Sequence, residues 1–319
     1  MATAIAHPNI ALVKYWGKRD TRLNLPSTGS ISMTVDRFRT RTTVNWGAEE
    51  DEAWIDGRLA EGKEKNRVFE HLDRIDPWRP KVTVVSESNF PKAAGLASSS
   101  SAFAALTVAA CAAAGQNRTP TELSVLSRQG SGSACRSLWG GFVEWRLGAQ
   151  EDGSDSHGVP LAPAEHWDLR LVVAILDGRQ KKVGSRAGML RTMATSPMYA
   201  AWVASAPRDV DGGRQAILDK DLPALGAIME RNALKMHCSM MTADPPIRYW
   251  SSTSVWAMDA VEGLRRQGVP CWWTMDAGPN VKVLCAEPDA ERVARRMRSV
   301  ADRVEVLGVG GPPQLVEDE

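Results

Sequence analysis

Apolar and polar positions along the chain change period several times, and the changes predict an alternation of strands and helices. Residues 2–13 read as a strand, and 31–46 as a second: Ile31-Ser32-Met33-Thr34-Val35 and then Thr40–Trp46 are β-branched with partial alternation. Apolar residues at Val68, Leu72 and Ile75 give Glu61–Ile75 a helical spacing. Lys81–Val85 is a strand. Ser98–Ala114 is alanine-rich and free of Gly and Pro, so it predicts a helix. A further helix starts at Thr121, after Pro120. The stretch 150–168 is polar, carries Gly and Pro, and reads as a loop.

Leu169–Leu176 is a buried strand, and a boundary there divides the chain into residues 1–168 and 169–319. Beyond it, helices over Met189–Ala204, Gly213–Lys220, Leu222–His237 and Thr253–Gln267 alternate with strands over Cys271–Met275, Val281–Cys285 and Val304–Gly308. Pro288 suits the first position of a helix running to Val300. No internal repeat or low-complexity tract stands out.

Composition adds exclusions. The 319 residues are 43% hydrophobic and 24% charged, those of an ordinary globular protein. With a formal net charge of +1, no whole-protein field argues for a nucleic-acid partner, and none is expected. Five scattered cysteines without a CxxC pair signal neither a disulfide framework nor a zinc site. The run Ala102–Ala114 is too short and too weakly hydrophobic to span a bilayer, so no membrane association is expected. With no signal-peptide pattern at the start, a cytoplasmic location is expected.

Four segments carry candidate chemistry. In PKAAGLASSSSAFAAL (91–106), a glycine-containing loop and four serines open a helix. Free amides, the helix dipole and hydroxyls suit a phosphate, and serine capping is the alternative. In NIALVKYWGKRD (9–20), Lys14 sits in a run that would partly bury it, facing an anion or else snorkelling to water. In RQGSGSACRSLWGGFVEW (128–145), small residues expose amides and Arg136 supplies a forked donor, unless the stretch is simply a flexible turn. In TMDAGPNVKV (274–283), Asp276 lies between an apolar run and a Gly-Pro turn, where it either does chemistry or caps the turn. Phosphate-binding elements with one Arg, one Lys and one Asp match phosphoryl transfer to a carboxylate-bearing substrate.

The strings HPNIALVKYWGKRD, FPKAAGLASSSSAFAAL, RQGSGSACRSLWGGFVEW and TMDAGPNVKVL together resemble the diphosphomevalonate decarboxylase family, from about residue 2 to about residue 310. That family belongs to the superfamily of galactokinase, homoserine kinase, mevalonate kinase and phosphomevalonate kinase. The resemblance implies an α+β, two-domain, GHMP-kinase-like fold with an N-terminal left-handed βαβ domain and a C-terminal α/β sandwich. It implies ATP-dependent phosphorylation of the tertiary hydroxyl of mevalonate 5-diphosphate, then loss of phosphate and carbon dioxide to give isopentenyl diphosphate.

It also implies residue roles. Asp276 orients the hydroxyl, Lys14 stands beside it, and Arg136 holds the substrate carboxylate. Tyr15, Trp16, Gly17, Lys18 and Arg67 match diphosphate-binding positions, and Ser185 lies near the same end. Ser131, Gly132, Ser133, Ala134 and Cys135 lead into Arg136 and supply amides and hydroxyls. Gly95, Ala97, Ser98, Ser99, Ser100 and Ser101 match the segment that holds ATP phosphates with Mg²⁺. A homodimer is implied as well. Ser100-Ser101 stands where relatives often carry Ala or Gly, and Gly184 replaces a Ser of several members. His237 is given no role and reads as a core or capping histidine. The rivals are a sister enzyme acting on mevalonate 5-phosphate or only phosphorylating the hydroxyl, a paralogue that decarboxylates another 3-hydroxy acid, and a non-catalytic binder of phosphorylated metabolites.

Overall fold

A computed structural model describes residues 1–90, 98–177 and 182–316. Gly95 and Ala97 therefore lie outside the described residues. Three principal sheets organise the chain. The first runs Gln314–Val316, Ala2–Ala6, Thr40–Trp46, Val82–Ser88, Glu52–Ile55, Arg58–Leu59. Its inner face carries Ala4, Val44, Ala53, Val82 and Val84 against the helices Gly62–Ile75 and Ser98–Ala113. Alternation along Thr40–Trp46 is clean, with Thr40, Thr42 and Val44 buried and Arg41 and Asn45 exposed.

The second sheet runs Gly158–Ala162, Phe142–Trp145, Ser30–Thr34, Asn9–Val13, and the third runs Cys271–Met275, Val281–Ala286, Leu169–Ile175, Arg303–Leu307. The helices Tyr199–Leu218 and Leu222–Met241 lie between them. Val210, Ile217, Leu225 and Met229 form one core with Ile10, Leu12, Ile31 and Phe142 on one side and Leu171, Val173, Trp272 and Leu284 on the other. Two glycines permit this close packing. A side chain at Gly213 would meet Val13 at 2.9 Å, and one at Gly226 would meet the Trp272 ring at 2.1 Å. The helices Ser252–Arg266 and Ala290–Met297 cover the far face of the third sheet through Val261, Leu264, Val293 and Met297. Three of its strands, Leu169–Ile175, Cys271–Met275 and Val281–Ala286, are buried on both faces and read as nearly unbroken apolar runs.

The structure corrects several boundaries. Residues 2–13 are two strands in different sheets, because the chain turns at His7-Pro8 and Pro8 has no amide to donate. Residues 31–46 divide between the same two sheets. Thr119, not Thr121, caps the helix Pro120–Gly130, in a reciprocal pair with Glu122. The helix expected over Met189–Ala204 is broken: Ser185–Thr195 ends where Ser196 takes an extended conformation before Pro197. Tyr199–Leu218 then runs unbroken through Pro207 and Gly212-Gly213. The polar stretch 150–168 contains the strand Gly158–Ala162. Gln314–Val316 returns to pair with Ala2–Ala6 in the first sheet.

Candidate active site

Asp276 immediately follows the strand Cys271–Met275, where the chain turns to enter Val281–Ala286. Its carbonyl accepts from Gly278 N at 2.8 Å. The turn is tied from two sides: Ser254 Oγ donates to the Pro279 carbonyl at 2.7 Å, and Asn280 Oδ1 accepts from the Leu176 and Asp177 amides. Lys14 comes from the other half of the molecule, at the exit of Asn9–Val13. Its amide donates to Asn232 Oδ1 at 2.7 Å, and Asn232 Nδ2 donates to the buried Asp209 at 2.9 Å. Lys14 Nζ donates to the Ala11 carbonyl and to Asp276 Oδ1, both at 2.7 Å.

A second ammonium, Lys282 Nζ, stands 2.8 Å from Asp276 Oδ2. Both lysine side chains are 1% exposed, whereas Asp276 keeps 23% of its side chain open. Burial alone would push the Asp276 carboxyl up, but Lys14 and Lys282 outweigh it and hold the carboxyl well below the usual carboxylate range. Burial, with Lys282 and Arg136 close by, lowers Lys14 to about 8 despite its bond to Asp276.

Arg136 lies on the short helical turn Gly132–Leu138 and is 2% exposed. Its guanidinium is held in a neutral frame, donating to Asn9 Oδ1, to Ser30 Oγ at 2.6 Å and to Ser32 Oγ at 3.0 Å. Among the described residues no carboxylate forms an ion pair with it, although its charge is felt at Asp276 and Lys14. A buried guanidinium framed only by neutral acceptors is prepared for an incoming anion. Asn9 also donates to the Ser133 carbonyl and to Ser137 Oγ, which fixes the turn. Gly132 is required there: a side chain would lie 2.8 Å from Trp145 and 2.9 Å from the Tyr15 hydroxyl. Ala134 and Cys135 are fully buried, and burial pushes the Cys135 thiol up to about 12.

The serines divide. Ser98 and Ser99 open the helix half-buried, and Ser131 Oγ donates to Ser99 Oγ at 3.1 Å, joining this segment to the Arg136 turn. Ser100 and Ser101 are fully buried. Ser100 Oγ accepts from Asn9 N, and Ser101 Oγ pairs with Thr40 Oγ1 at 2.7 Å. Their hydroxyls thus serve the junction of helix and sheets.

A second charged cluster gathers Lys18, Arg67 and Arg186. Lys18 is 5% exposed and donates to Asn24 Oδ1; burial, then Arg186 and Arg67, lower it to about 8. Arg67 donates to the Gly130 carbonyl at 3.3 Å and stacks its guanidinium 4.8 Å from the Phe103 ring. Ser185 and Arg186 begin the helix Ser185–Thr195, whose free amides add to the positive potential. Arg22, Asn24, Arg67, Arg74 and Arg186 line one pocket, with Glu70 a lone carboxylate.

Tyr15 packs on Trp145 with ring centroids 4.6 Å apart, and its buried hydroxyl has no partner among the described residues. Trp16 points instead into a cluster with Trp202 and Tyr249, while its carbonyl accepts from Trp202 Nε1 at 2.8 Å. Gly17 has φ 104°, and the Tyr199 hydroxyl occupies the place of a side chain. A larger surface depression, lined by Asp36, Arg37, Asp168, Arg170, Val306 and Gly308, shares none of these residues.

Sequence reading missed Lys282, Arg186, Asn9 and Asn232. For Lys282 the signal was present: it is the lone cation in the apolar strand VKVLCA, where burial on both faces demands an acidic partner. Arg186 adjoins Ser185. Nothing in local sequence marks Asn9 or Asn232, whose partners lie 127 and 218 residues away. His237 is buried beside Trp250, 5.3 Å between rings, and burial lowers it to about 3.

Residues 6–158 match the diphosphomevalonate decarboxylase-like N-terminal domain, and residues 171–307 the mevalonate 5-diphosphate decarboxylase C-terminal domain. Diphosphomevalonate decarboxylase mvd1 of Aspergillus fumigatus is 39% identical over 94% of this chain and 80% of its own length. The solved mevalonate diphosphate decarboxylase of Staphylococcus aureus superposes with a TM-score of 0.94 at 36% identity, covering 99% of this chain and 98% of that one. A structure of MDDEF in complex with MVAPP, AMPPCP and magnesium superposes at 0.93 with 39% identity over 99% of both chains. The chain belongs to the diphosphomevalonate decarboxylase family.

Proposed function

We propose that this protein converts mevalonate 5-diphosphate and ATP to isopentenyl diphosphate, ADP, phosphate and carbon dioxide. One arrangement carries the reading: a carboxylate held between two buried lysines, with Arg136 in a neutral frame beside it and the Lys18–Arg67–Arg186 cluster as a separate anion site. Likeness to a protein solved with MVAPP, AMPPCP and magnesium supports it.

In this reading the basic cluster takes the substrate's diphosphate and Arg136 its carboxylate, leaving the tertiary hydroxyl at Asp276. The three cations Lys18, Arg67 and Arg186 favour two phosphates over one. Asp276 aligns the hydroxyl oxygen toward the γ-phosphorus of ATP. With two lysines upon it, the carboxylate is a weak base, so its work is orientation and charge stabilisation. The hydroxyl oxygen bonds to the γ-phosphorus as the bond from that phosphorus to the ADP oxygen breaks, and the hydroxyl proton passes to an oxygen of the transferred phosphoryl group. The C–O bond to the new phosphate then breaks, the phosphate taking the electron pair, and the developing positive carbon is stabilised by Asp276. Electrons of the bond to the carboxylate carbon close the double bond, and carbon dioxide leaves.

Among the described residues no group of three or more acidic, histidine or cysteine side chains is placed to hold a metal. In this reading magnesium enters with the nucleotide phosphates. In this reading Ser98 and Ser99, half-buried at the helix start, would meet that complex, and magnesium bound there would neutralise phosphate charge.

We read residues 1–168 as the N-terminal domain and 169–319 as the C-terminal one, with Gln314–Val316 returning to the first sheet. No helix among the described residues is long and apolar enough to cross a membrane. A cytoplasmic location and a homodimer complete the reading. Sedimentation velocity tests the dimer. The deciding experiment offers mevalonate, its 5-phosphate and its 5-diphosphate separately with ATP and magnesium and measures released carbon dioxide. Release from the 5-diphosphate alone is the expected result; release from the 5-phosphate, or phosphorylation without release, identifies a sister activity.

A further inference from the structure

Lys282 belongs to a strand that is buried on both faces and flanked in register by Thr274 and Val173. Its side chain is 1% exposed, and an ammonium kept there must be matched by charge. Its match is Asp276 Oδ2, the oxygen that Lys14 does not hold. The charged and titratable groups facing Asp276 are Lys14 from the exit of Asn9–Val13, Lys282 from its own hairpin, Arg136 from the turn Gly132–Leu138 and His237 from Leu222–Met241. Of these only the two lysines touch it.

One lysine suffices to neutralise one carboxylate. With Lys14 alone, any movement of Lys14 toward a phosphate would strand Asp276 in a partly buried site without a countercharge, which is costly. With Lys282 on the second oxygen, the pair Asp276–Lys282 stays neutral by itself. Lys14, whose backbone is pinned by Asn232 and whose ammonium also rests on the Ala11 carbonyl, is then spare positive charge.

We propose that Lys282 is a positioning residue for the decarboxylation: it retains Asp276, ionised and aimed, while Lys14 turns to the phosphate that is transferred to and then lost from the substrate. The inference rests on the proposed function and deepens it. Its ion pair is with Asp276 rather than with the diphosphate cluster or Arg136's frame, so its loss is expected to act on turnover rather than on substrate capture.

The test compares wild-type protein with Lys282→Met, which keeps the length without charge, and Lys282→Gln, which keeps a donor without charge. Circular dichroism and thermal melting verify folding, and carbon dioxide release from mevalonate 5-diphosphate is followed across pH. Both variants are expected to lose kcat by about 100-fold, with KM within about threefold of wild type. The acid limb of kcat is expected to move up by about one pH unit, because a carboxylate that loses a cationic neighbour is more easily protonated. Folded variants with unchanged kcat and pH profile overturn the inference, as does full activity of Lys282→Gln. Failure of both variants to fold overturns it too, by making Lys282 a structural residue. Wild-type protein that releases no carbon dioxide overturns the functional reading and this inference with it.

Discussion

Lys14 and Asp276, 262 residues apart in sequence, meet at 2.7 Å with the lysine side chain almost wholly out of water. Their meeting is how the two halves of the chain make one site. Replacing Asp276 by Asn keeps its shape and removes its charge. Turnover is expected to fall by on the order of 10³-fold or more while ATP affinity stays within about twofold. Single-turnover phosphoryl transfer and nucleotide titration separate the two effects; normal turnover would remove Asp276 from the chemistry.

Lys14 and Lys18 are each lowered to about 8 in the free protein. Both are charged below that pH and lose their protons above it. Capture of an anionic substrate, read as kcat/KM, is therefore expected to decline as pH rises through about 8. The bound diphosphate favours the charged form of Lys18, so the basic limb of kcat is expected at higher pH. A kcat/KM profile flat to pH 9.5 would contradict this.

Arg136→Lys tests the fork. A single ammonium cannot reach Asn9, Ser30 and Ser32 together and still present two parallel donors to a carboxylate. A loss in kcat/KM of about 100-fold is expected, with ATP binding retained, as isothermal titration with a non-hydrolysable nucleotide would show.

Lys18→Met is expected to raise KM for the 5-diphosphate by about tenfold or more while kcat changes less, since Lys18 lies in the basic cluster and not at Asp276. Comparing KM for the 5-phosphate measures how much of the selectivity for two phosphates this lysine supplies.

Gly226→Ala probes the fold alone. The added methyl would sit 2.1 Å from the Trp272 ring, forcing apart the helix Leu222–Met241 and the third sheet. A loss of about 1–3 kcal/mol is expected, seen as a lower midpoint in urea with an unchanged slope.

The sequence made plain those elements whose burial is periodic. Val68, Leu72 and Ile75 marked a helix that the structure contains, and the apolar runs near residues 171, 273 and 283 marked the third sheet. Breaks were less legible where a proline acts through its neighbour. His7-Pro8 switches sheets, whereas Pro207 sits unremarked inside a helix. In the site, the charged residues at Asp276, Lys14 and Arg136 were visible because each is costly where apolar pattern places it. Asn9, Asn232 and Asp209 were not. Amides and a distant acid that hold other residues in place have meaning only once the fold has joined segments more than a hundred residues apart.

Gln314–Val316 completes the first sheet by lying against Ala2–Ala6, so the pairing joins opposite ends of the described residues. Until the two strands pair, Ala2–Ala6 keeps one row of its amides and carbonyls unmet. An exposed sheet margin of this kind is adhesive toward other chains. A molecule opened at this seam would thus be prone to self-association while its site residues stayed in place.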